Sequence, residues 1–369
     1  ENSGCTNTMK WMFERDHIVG MAQSTGVMMY PPTWLFFVNP GYAEGYIRMC
    51  TFLKEEWDKE HPGVKPKIGW CTWDNSTGKA PLRMTKWLEE NGWEYTSTQY
   101  FPFAPVDTTT QLKTLHDQGT NFVACNIGDA AESVVLKDAE RLGYLKDMVF
   151  LGTHYTAQLA LVTMAGTASE GFTSWEANAD PEEMDIAGVK LAHEISQEYR
   201  KEPVTQKMKI FGMLEAVILE EALTRCVEKG IWPITGDDLR ASLETISDWD
   251  PMGIGGKVNY SREEHNLRYA FVARVVNGKM VRVAPWEYCP KLAYEEYEKG
   301  NHLTPDALFI GLFCCVLRWG SFYYQSSLIP GSPVHHQLAT LGNNPFAQIL
   351  NFVYPEFGLF PNGFTNSFG

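Results

Sequence analysis

The chain has 369 residues, of which 44% are hydrophobic and 21% charged. This length accommodates two domains or one large α/β unit with a sizeable core, and the composition excludes a disordered or low-complexity chain. The formal net charge of −14 repels phosphate backbones and anionic membrane surfaces, so a nucleic-acid partner is not expected.

Short apolar runs alternate with amphipathic stretches through the first half of the chain. Strands are predicted at residues 16–21, 67–73, 94–100, 121–126 and 148–151. Helices are predicted between them at residues 81–90, 108–118 and 130–142, the last of which is capped by Gly143. Strands separated by helices of this length indicate βαβ units and a mostly parallel sheet that is covered on both faces.

The second half begins with helices and ends in a segment of different composition. Helices are predicted at residues 184–201, 209–229 and 235–246, followed by strands at 256–260, 269–276 and 280–283, the last two joined by a hairpin turn at Asn277-Gly278. From residue 301 onward the charged side chains are three in number, while nine of the twenty Phe residues fall there. The apolar run at residues 307–316 is half the length of a membrane-spanning helix, so a buried strand or helix is the expectation.

Several short features follow one another in a fixed order along the chain. They are Lys67-Ile68-Gly69 in a strand, Asp74 to Gly78-Lys79 in a turn, Asn91-Gly92 after a helix, Tyr100-Phe101-Pro102, and Asp107-Thr108 at a helix start. This ordered set resembles the type I periplasmic-binding-protein superfamily. More narrowly, it is similar to the branched-chain amino-acid and amide substrate-binding proteins of ABC importers, over roughly residues 10–283.

This resemblance implies an α/β fold of two lobes, with parallel sheets flanked by helices and three crossover strands. Lobe 1 would comprise residues 1–38 and 177–248, and lobe 2 would comprise residues 39–176 and 249–290. The family's opening strand and helix have no counterpart before Asn7. The apolar tail, residues 291–369, is predicted to complete lobe 1 through a strand at residues 307–312; the alternative is an unrelated appendage.

The cleft between the lobes should lie at the carboxyl ends of the parallel strands, beside helix N-termini. Ser24 and Thr25 follow the first predicted strand and match the family position that holds a ligand carboxylate. Either residue could instead be a simple helix N-cap. A third interpretation, a nucleophile elbow of an α/β serine hydrolase with Ser24, is disfavoured because Pro31-Pro32 would end the helix behind it within about one turn.

Two loops of the second lobe should face the same cleft. Asn126 and Asp129 follow a predicted strand, and Asp129 could bind a ligand ammonium or cap the next helix. Thr153, His154 and Tyr155 end another strand. His154 is a candidate ligand contact, with a hydrogen-bonded structural histidine as the alternative, and Tyr155 could stack on the ligand.

Three further candidates follow from the resemblance. Phe211 and Met213 lie at the predicted start of the long helix, where relatives present a Tyr to the ligand, and would favour an apolar or aromatic group. Met213 at helical spacing could equally be core packing. Tyr42 lies at the first expected crossover and is either a hinge or a cleft residue.

The sequence therefore predicts a binding protein without catalytic residues, metal or cofactor. Its eight cysteines form no C-x-x-C pair, and the even number permits disulfides without requiring them. The expected partners are a small amino-acid-like, amide or aromatic-acid ligand and an ABC permease, in a periplasmic or extracellular location, with the protein a monomer or a weak dimer. A ligand-sensing regulator of the same fold is the alternative.

Overall fold

A computed structural model describes residues 3–23, 30–156 and 159–292, all within the compact unit Glu1–Thr304. Ser24, Thr25 and the predicted tail strand at residues 307–312 lie outside the described residues. The strands are β1 (Gly20–Ala22), β2 (Leu35–Phe37), β3 (Lys67–Trp73), β4 (Glu94–Phe101), β5 (Phe122–Ala124), β6 (Val149–Gly152), β7 (Thr173–Glu176), β8 (Tyr269–Val276) and β9 (Lys279–Tyr288).

The described α-helices precede, separate and follow these strands. They are α1 (Ser3–Arg15), α2 (Tyr42–Glu60), α3 (Ser76–Lys79), α4 (Thr85–Glu90), α5 (Thr109–Asp117), α6 (Asp129–Leu142), α7 (Leu159–Ala165), α8 (Ala187–Arg200), α9 (Lys207–Glu228) and α10 (Gly236–Leu243). Short 3-10 helices cover Ala80–Met84, Tyr144–Lys146 and Gly166–Ser169.

A seven-stranded sheet with the order β4-β3-β5-β6-β7-β8-β9 forms the centre of the described structure. The strands from β4 to β7 are parallel, whereas β7, β8 and β9 pair antiparallel. Successive side chains of a strand point to opposite faces, so Trp70 joins the core under α2 while Cys71 joins the core under α5 and α6. The expected α/β architecture, a mostly parallel sheet covered on both faces, is confirmed.

β1 and β2 form a second sheet of two strands, and neither strand pairs with a strand of the seven-stranded sheet. Gly20 pairs with Leu35 and Ala22 with Phe37 in a parallel register. The other edge of β2 is held by the segment after α10, because the Phe37 N–H donates to the His265 carbonyl at 2.7 Å and the Leu267 N–H donates to the Phe37 carbonyl at 3.0 Å.

Several predicted boundaries are confirmed by local backbone geometry. Gly143 ends α6 in the left-handed region with φ of 75°, where a glycine has no Cβ to clash. Asn277 and Gly278 both have positive φ, as the tight turn between β8 and β9 requires. At the start of α10, Thr235 and Asp238 form a capping box.

Three predicted elements differ from the structure. The strand expected at residues 16–21 is reduced to β1, because α1 continues to Arg15 and His17 then turns the chain with φ of 52°. The helix expected at 81–90 starts earlier, at Ser76, and is interrupted by a 3-10 turn at Pro81, which has no N–H to donate. The strand expected at 256–260 is wrong, since Val258 makes only an isolated bridge to Trp249 after a glycine-rich turn.

Five cysteines whose side chains the structure describes are unpaired. Cys50, Cys71, Cys125, Cys226 and Cys289 are all free and buried. Burial raises the pKa of the Cys71 and Cys125 thiols, which disfavours the reactive thiolate. These residues therefore act as small apolar core side chains.

The buried carboxyl of Glu132 in α6 gives a first prediction. Burial raises its pKa well above the usual value, so the favourable contribution of the protonated form is complete below the unfolded pKa of about 4.3 and is lost as the pH rises through the folded pKa. Glu132→Gln should increase the free energy of unfolding at pH 8 by on the order of 1 to 3 kcal/mol and leave it nearly unchanged at pH 4. Denaturant titration at both pH values measures this.

Glu89 in α4 provides the matched control because it is exposed. Glu89→Gln should change the stability by less than about 0.5 kcal/mol at either pH. Equal stabilities of the Glu132→Gln protein and the unsubstituted protein at pH 8 would contradict the prediction.

Candidate functional site

Five aromatic side chains meet near the carboxyl ends of β6 and β7, and we call them the junction cluster: Tyr42, His154, Tyr155, Trp175 and Phe211. The His154 ring lies 4.5 Å from Trp175, 5.2 Å from Phe211 and 5.0 Å from Tyr155, measured between ring centroids. Tyr42 lies 5.7 Å from Tyr155 and 6.2 Å from His154. The structure thus brings together four of the side chains that the sequence predicts for the site.

Different elements position the members of the cluster. Tyr42 is the first residue of α2, after the N-cap Gly41, and His154 lies in the turn after β6. Trp175 packs against α2 at Gly45, where a Cβ would overlap the indole ring. Phe211 lies in the second turn of α9 and not at its start as expected, because the helix begins at Lys207.

A buried ion pair adjoins the junction cluster. Glu176 ends β7 with no exposed surface, and its carboxylate accepts hydrogen bonds from the Lys207 ammonium and, at 2.5 Å, from the Ser174 hydroxyl. Lys207 is 5% exposed. Burial raises the pKa of Glu176 to about 7, although Lys207 and Ser174 oppose the change.

His154 is the least satisfied polar side chain of the cluster. It is 1% exposed, and neither ring nitrogen has a hydrogen-bond partner among the described residues. Burial, assisted by the positive charge of Lys207, lowers the pKa of His154 well below its usual value. The ring is therefore neutral at pH 7 and presents one donor and one acceptor.

Three other predicted residues lie at strand ends but have local partners. The Asn126 amide donates to the Thr77 carbonyl at 2.5 Å, and the Thr153 hydroxyl lies 3.1 Å from that of Thr156. Asp129 is the first residue of α6, half-buried, and accepts the Ala130 N–H at 2.8 Å. The N-cap of α6 is Gly128, and Asp129 makes no side-chain cap hydrogen bond; its carboxylate lies in the first helical turn.

Met213 is half-buried and packs against the core on the α2 side of the sheet, as the core-packing alternative predicts.

Ser24 and Thr25 follow Gln23, the last described residue after β1. A cavity of about 300 Å³ lies beside β1, α1 and α9 and is lined by Phe13, Met21, Ala22, Gln23, Leu35, Met208, Gly212 and Glu215.

Sequence reasoning missed Trp175, Glu176 and Lys207. The sequence does contain a signal for Trp175 and Glu176, because an aromatic and an acidic residue end a buried strand before a loop. Nothing local to Lys207 indicates that its ammonium is buried, because it is preceded by polar residues and followed by an amphipathic helix.

Metal-binding groups and membrane-spanning helices are not found among the described residues. No group of three or more His, Cys, Asp or Glu side chains is arranged there to hold a metal ion. None of the described helices combines the length and apolar character needed to cross a membrane.

Comparison with known proteins shows the family. The periplasmic binding protein family model matches residues 14–279, and the chain belongs to this family of solute-binding proteins, which are not enzymes. Membership overturns the serine-hydrolase alternative for Ser24. No curated protein matches the chain.

Solved structures show the same fold. A branched-chain amino-acid ABC transporter protein from Thermus thermophilus with bound valine has a TM-score of 0.69 at 22% identity, covering 81% of this chain and 78% of that one. A fatty-acid substrate-binding protein from Thermomonospora curvata has 0.63 at 18%, covering 81% and 75%. A leucine-binding protein from Thermotoga maritima has 0.61 at 14%, covering 74% and 75%. The type I periplasmic-binding fold expected from the sequence is confirmed.

The Glu176–Lys207 pair gives a second prediction. Lys207→Met leaves a buried carboxylate without its counter-charge and should lower the free energy of unfolding at pH 8 by about 3 to 5 kcal/mol. The double variant Glu176→Gln/Lys207→Met should regain most of that loss. Denaturant titration of the two variants measures the difference.

Lys209 supplies a matched control two residues away, because its ion pair with Glu202 is partly solvent-exposed. Lys209→Met should cost less than about 1 kcal/mol. If Lys207→Met costs no more than Lys209→Met, the buried pair does not stabilise the junction.

Proposed function

We propose that the protein is the solute-binding component of an ABC importer and captures a small amino-acid-like, amide or aromatic-acid ligand in a cleft between two lobes. Membership of the periplasmic binding protein family supports the class. The observation that carries the assignment of the cleft is the junction cluster, because its buried rings surround a histidine with two unpartnered nitrogens. Polar groups left unpaired in an apolar site are typical of ligand pockets.

The proposed lobes are residues 1–38 with 177–248 and residues 39–176 with 249–290. With these bounds the junction cluster takes Phe211 from lobe 1 and its other four members from lobe 2. The Glu176–Lys207 ion pair also joins the two lobes. Contacts of this kind between lobes support a site that is completed when the lobes close.

The proposed partners are the small ligand and an ABC permease, with the protein working in the periplasm or outside the cell. Within the cleft we assign Ser24 and Thr25 to the ligand carboxylate, since hydroxyls and free N–H groups after a strand form an anion site. Asn126, Asp129, Thr153 and Tyr155 would line the opposite wall.

A thermal-shift screen against amino acids, amides and aromatic acids tests the function. A ligand at one hundred times its Kd should add about 2.7 kcal/mol to the stability of the folded protein. For a ligand found in this way, Ser24→Ala/Thr25→Ala should weaken binding at least tenfold, about 1.4 kcal/mol, by calorimetric titration.

The exposed Thr110 in α5 supplies the control for this double variant, and Thr110→Ala should leave the Kd unchanged. Unchanged affinity of the double variant would remove Ser24 and Thr25 from the site. Failure of every compound in the screen to stabilise the protein would count against solute binding itself.

Closure of the lobes gives a separate prediction. The proposed crossovers are residues 35–39, 171–176 and 249–259, and bending there should bring the lobes together around the ligand. The radius of gyration in solution should therefore fall when a saturating ligand is added, as measured by small-angle X-ray scattering. An unchanged scattering profile at independently shown saturation would contradict closure.

A further inference from the structure

The cavity of about 300 Å³ beside β1 shares no residue with the junction cluster, and we call it the β1 cavity. Proteins bind small molecules in cavities of roughly 300 to 1,000 Å³. The β1 cavity has about twice the volume of an engineered cavity of about 150 Å³ that holds benzene. It therefore has room for an aromatic ring that carries a short side chain.

Apolar side chains form most of the wall of the β1 cavity. Phe13 of α1, Met21 of β1 and Leu35 of β2 all line it. Gly20 allows two of these side chains to approach β1 closely, because a Cβ at this position would lie 2.7 Å from Leu35 Cδ2 and 3.0 Å from Phe13 Cε1. A wall of this kind favours a ligand with an apolar body.

One face of α9 completes the wall. Met208, Gly212 and Glu215 follow one another at spacings of four and three residues, so they lie on the same side of this helix. Gly212 is exposed to solvent, and a Cβ placed there would meet no other part of the described structure within 4 Å. The missing side chain at Gly212 thus leaves the cavity accessible from the surface.

Glu215 supplies the charged group of the cavity. It is half-buried, and no Lys, Arg or His is found among the described residues that line the cavity with it. Burial raises the pKa of the Glu215 carboxyl, and the positive charge of the chain's α-amino group acts in the opposite direction. A positive charge near this carboxylate therefore offsets the cost of its burial. The lining favours an ammonium group and disfavours an acid.

We propose that the β1 cavity is a binding site for a primary amine with an apolar body, in which Glu215 pairs with the ammonium group while Phe13 and Leu35 pack against the body. This site is additional to the proposed solute-binding cleft, and it does not depend on whether the junction cluster contacts a ligand. Charge complementarity with Glu215 selects the amine, and the cavity volume limits the size of its apolar body.

Two compounds of similar size and different charge test the role of the ammonium group. They are 2-phenylethylamine and 2-phenylethanol, in which a neutral hydroxyl replaces the ammonium. In calorimetric titration of the full chain at pH 7.5 we expect 2-phenylethylamine to bind at least tenfold more tightly than 2-phenylethanol, because the alcohol retains only the packing against the apolar wall.

Two substitutions on α9 separate the charge from the space. Glu215→Gln keeps the shape of the side chain, and it should weaken 2-phenylethylamine binding at least tenfold while changing the Kd of 2-phenylethanol less than twofold. Gly212→Leu adds a side chain at the wall and should weaken binding of both compounds at least fivefold. Glu220→Gln is the matched control, because Glu220 is exposed on the same helix, and it should leave both Kd values unchanged. Thermal denaturation of each variant confirms that it is folded.

Several results would overturn the inference. Equal affinity for the amine and the alcohol would remove the role of charge, and a Kd for 2-phenylethylamine that Glu215→Gln or Gly212→Leu leaves unchanged would place the amine outside the β1 cavity. Absence of binding by both compounds, as when another segment of the chain fills the cavity, would also overturn it. None of these results bears on solute binding between the lobes, which the thermal-shift screen tests separately.

Discussion

The buried carboxylate of Glu176 constrains how β7 packs against α9. A carboxylate with no exposed surface is costly unless a counter-charge and hydrogen bonds accompany it, and Lys207 and Ser174 supply them. The last residue of β7 must therefore lie against the first turn of α9. That single requirement places Phe211, one turn further along α9, against His154.

The seven-stranded sheet provides the rigid support for this arrangement. Its parallel strands end at one edge of the sheet. The turns after β5 and β6 therefore place Asn126 and His154 at that same edge. The Tyr46 hydroxyl donates to the Cys125 carbonyl at 2.6 Å and holds α2 on the sheet, which fixes Tyr42 at the start of that helix. The site is thus assembled from helix ends and strand ends whose positions the core determines.

The polar groups around the junction cluster differ in whether the described residues supply them with partners. Glu176 and Lys207 neutralise each other, Asp129 accepts the N–H of Ala130, and the Thr153 hydroxyl bonds to that of Thr156. His154 stays neutral and unpartnered in the same surroundings. In the proposed function, this buried donor and acceptor are groups that a ligand would satisfy.

The sequence by itself determined the alternation of strands and helices between residues 67 and 151, the hairpin at Asn277-Gly278, the cap at Gly143 and the family resemblance, because these depend on periodicity and turn chemistry between near neighbours. It also placed His154 and Tyr155 at a strand end. Only the tertiary structure decided that Trp175, Glu176 and Lys207 belong beside them. Lys207 is 31 residues from Glu176 along the chain, and no local pattern reveals that its ammonium is desolvated. Burial of a charge is a property of the packed core, and it exists only when distant segments are brought together.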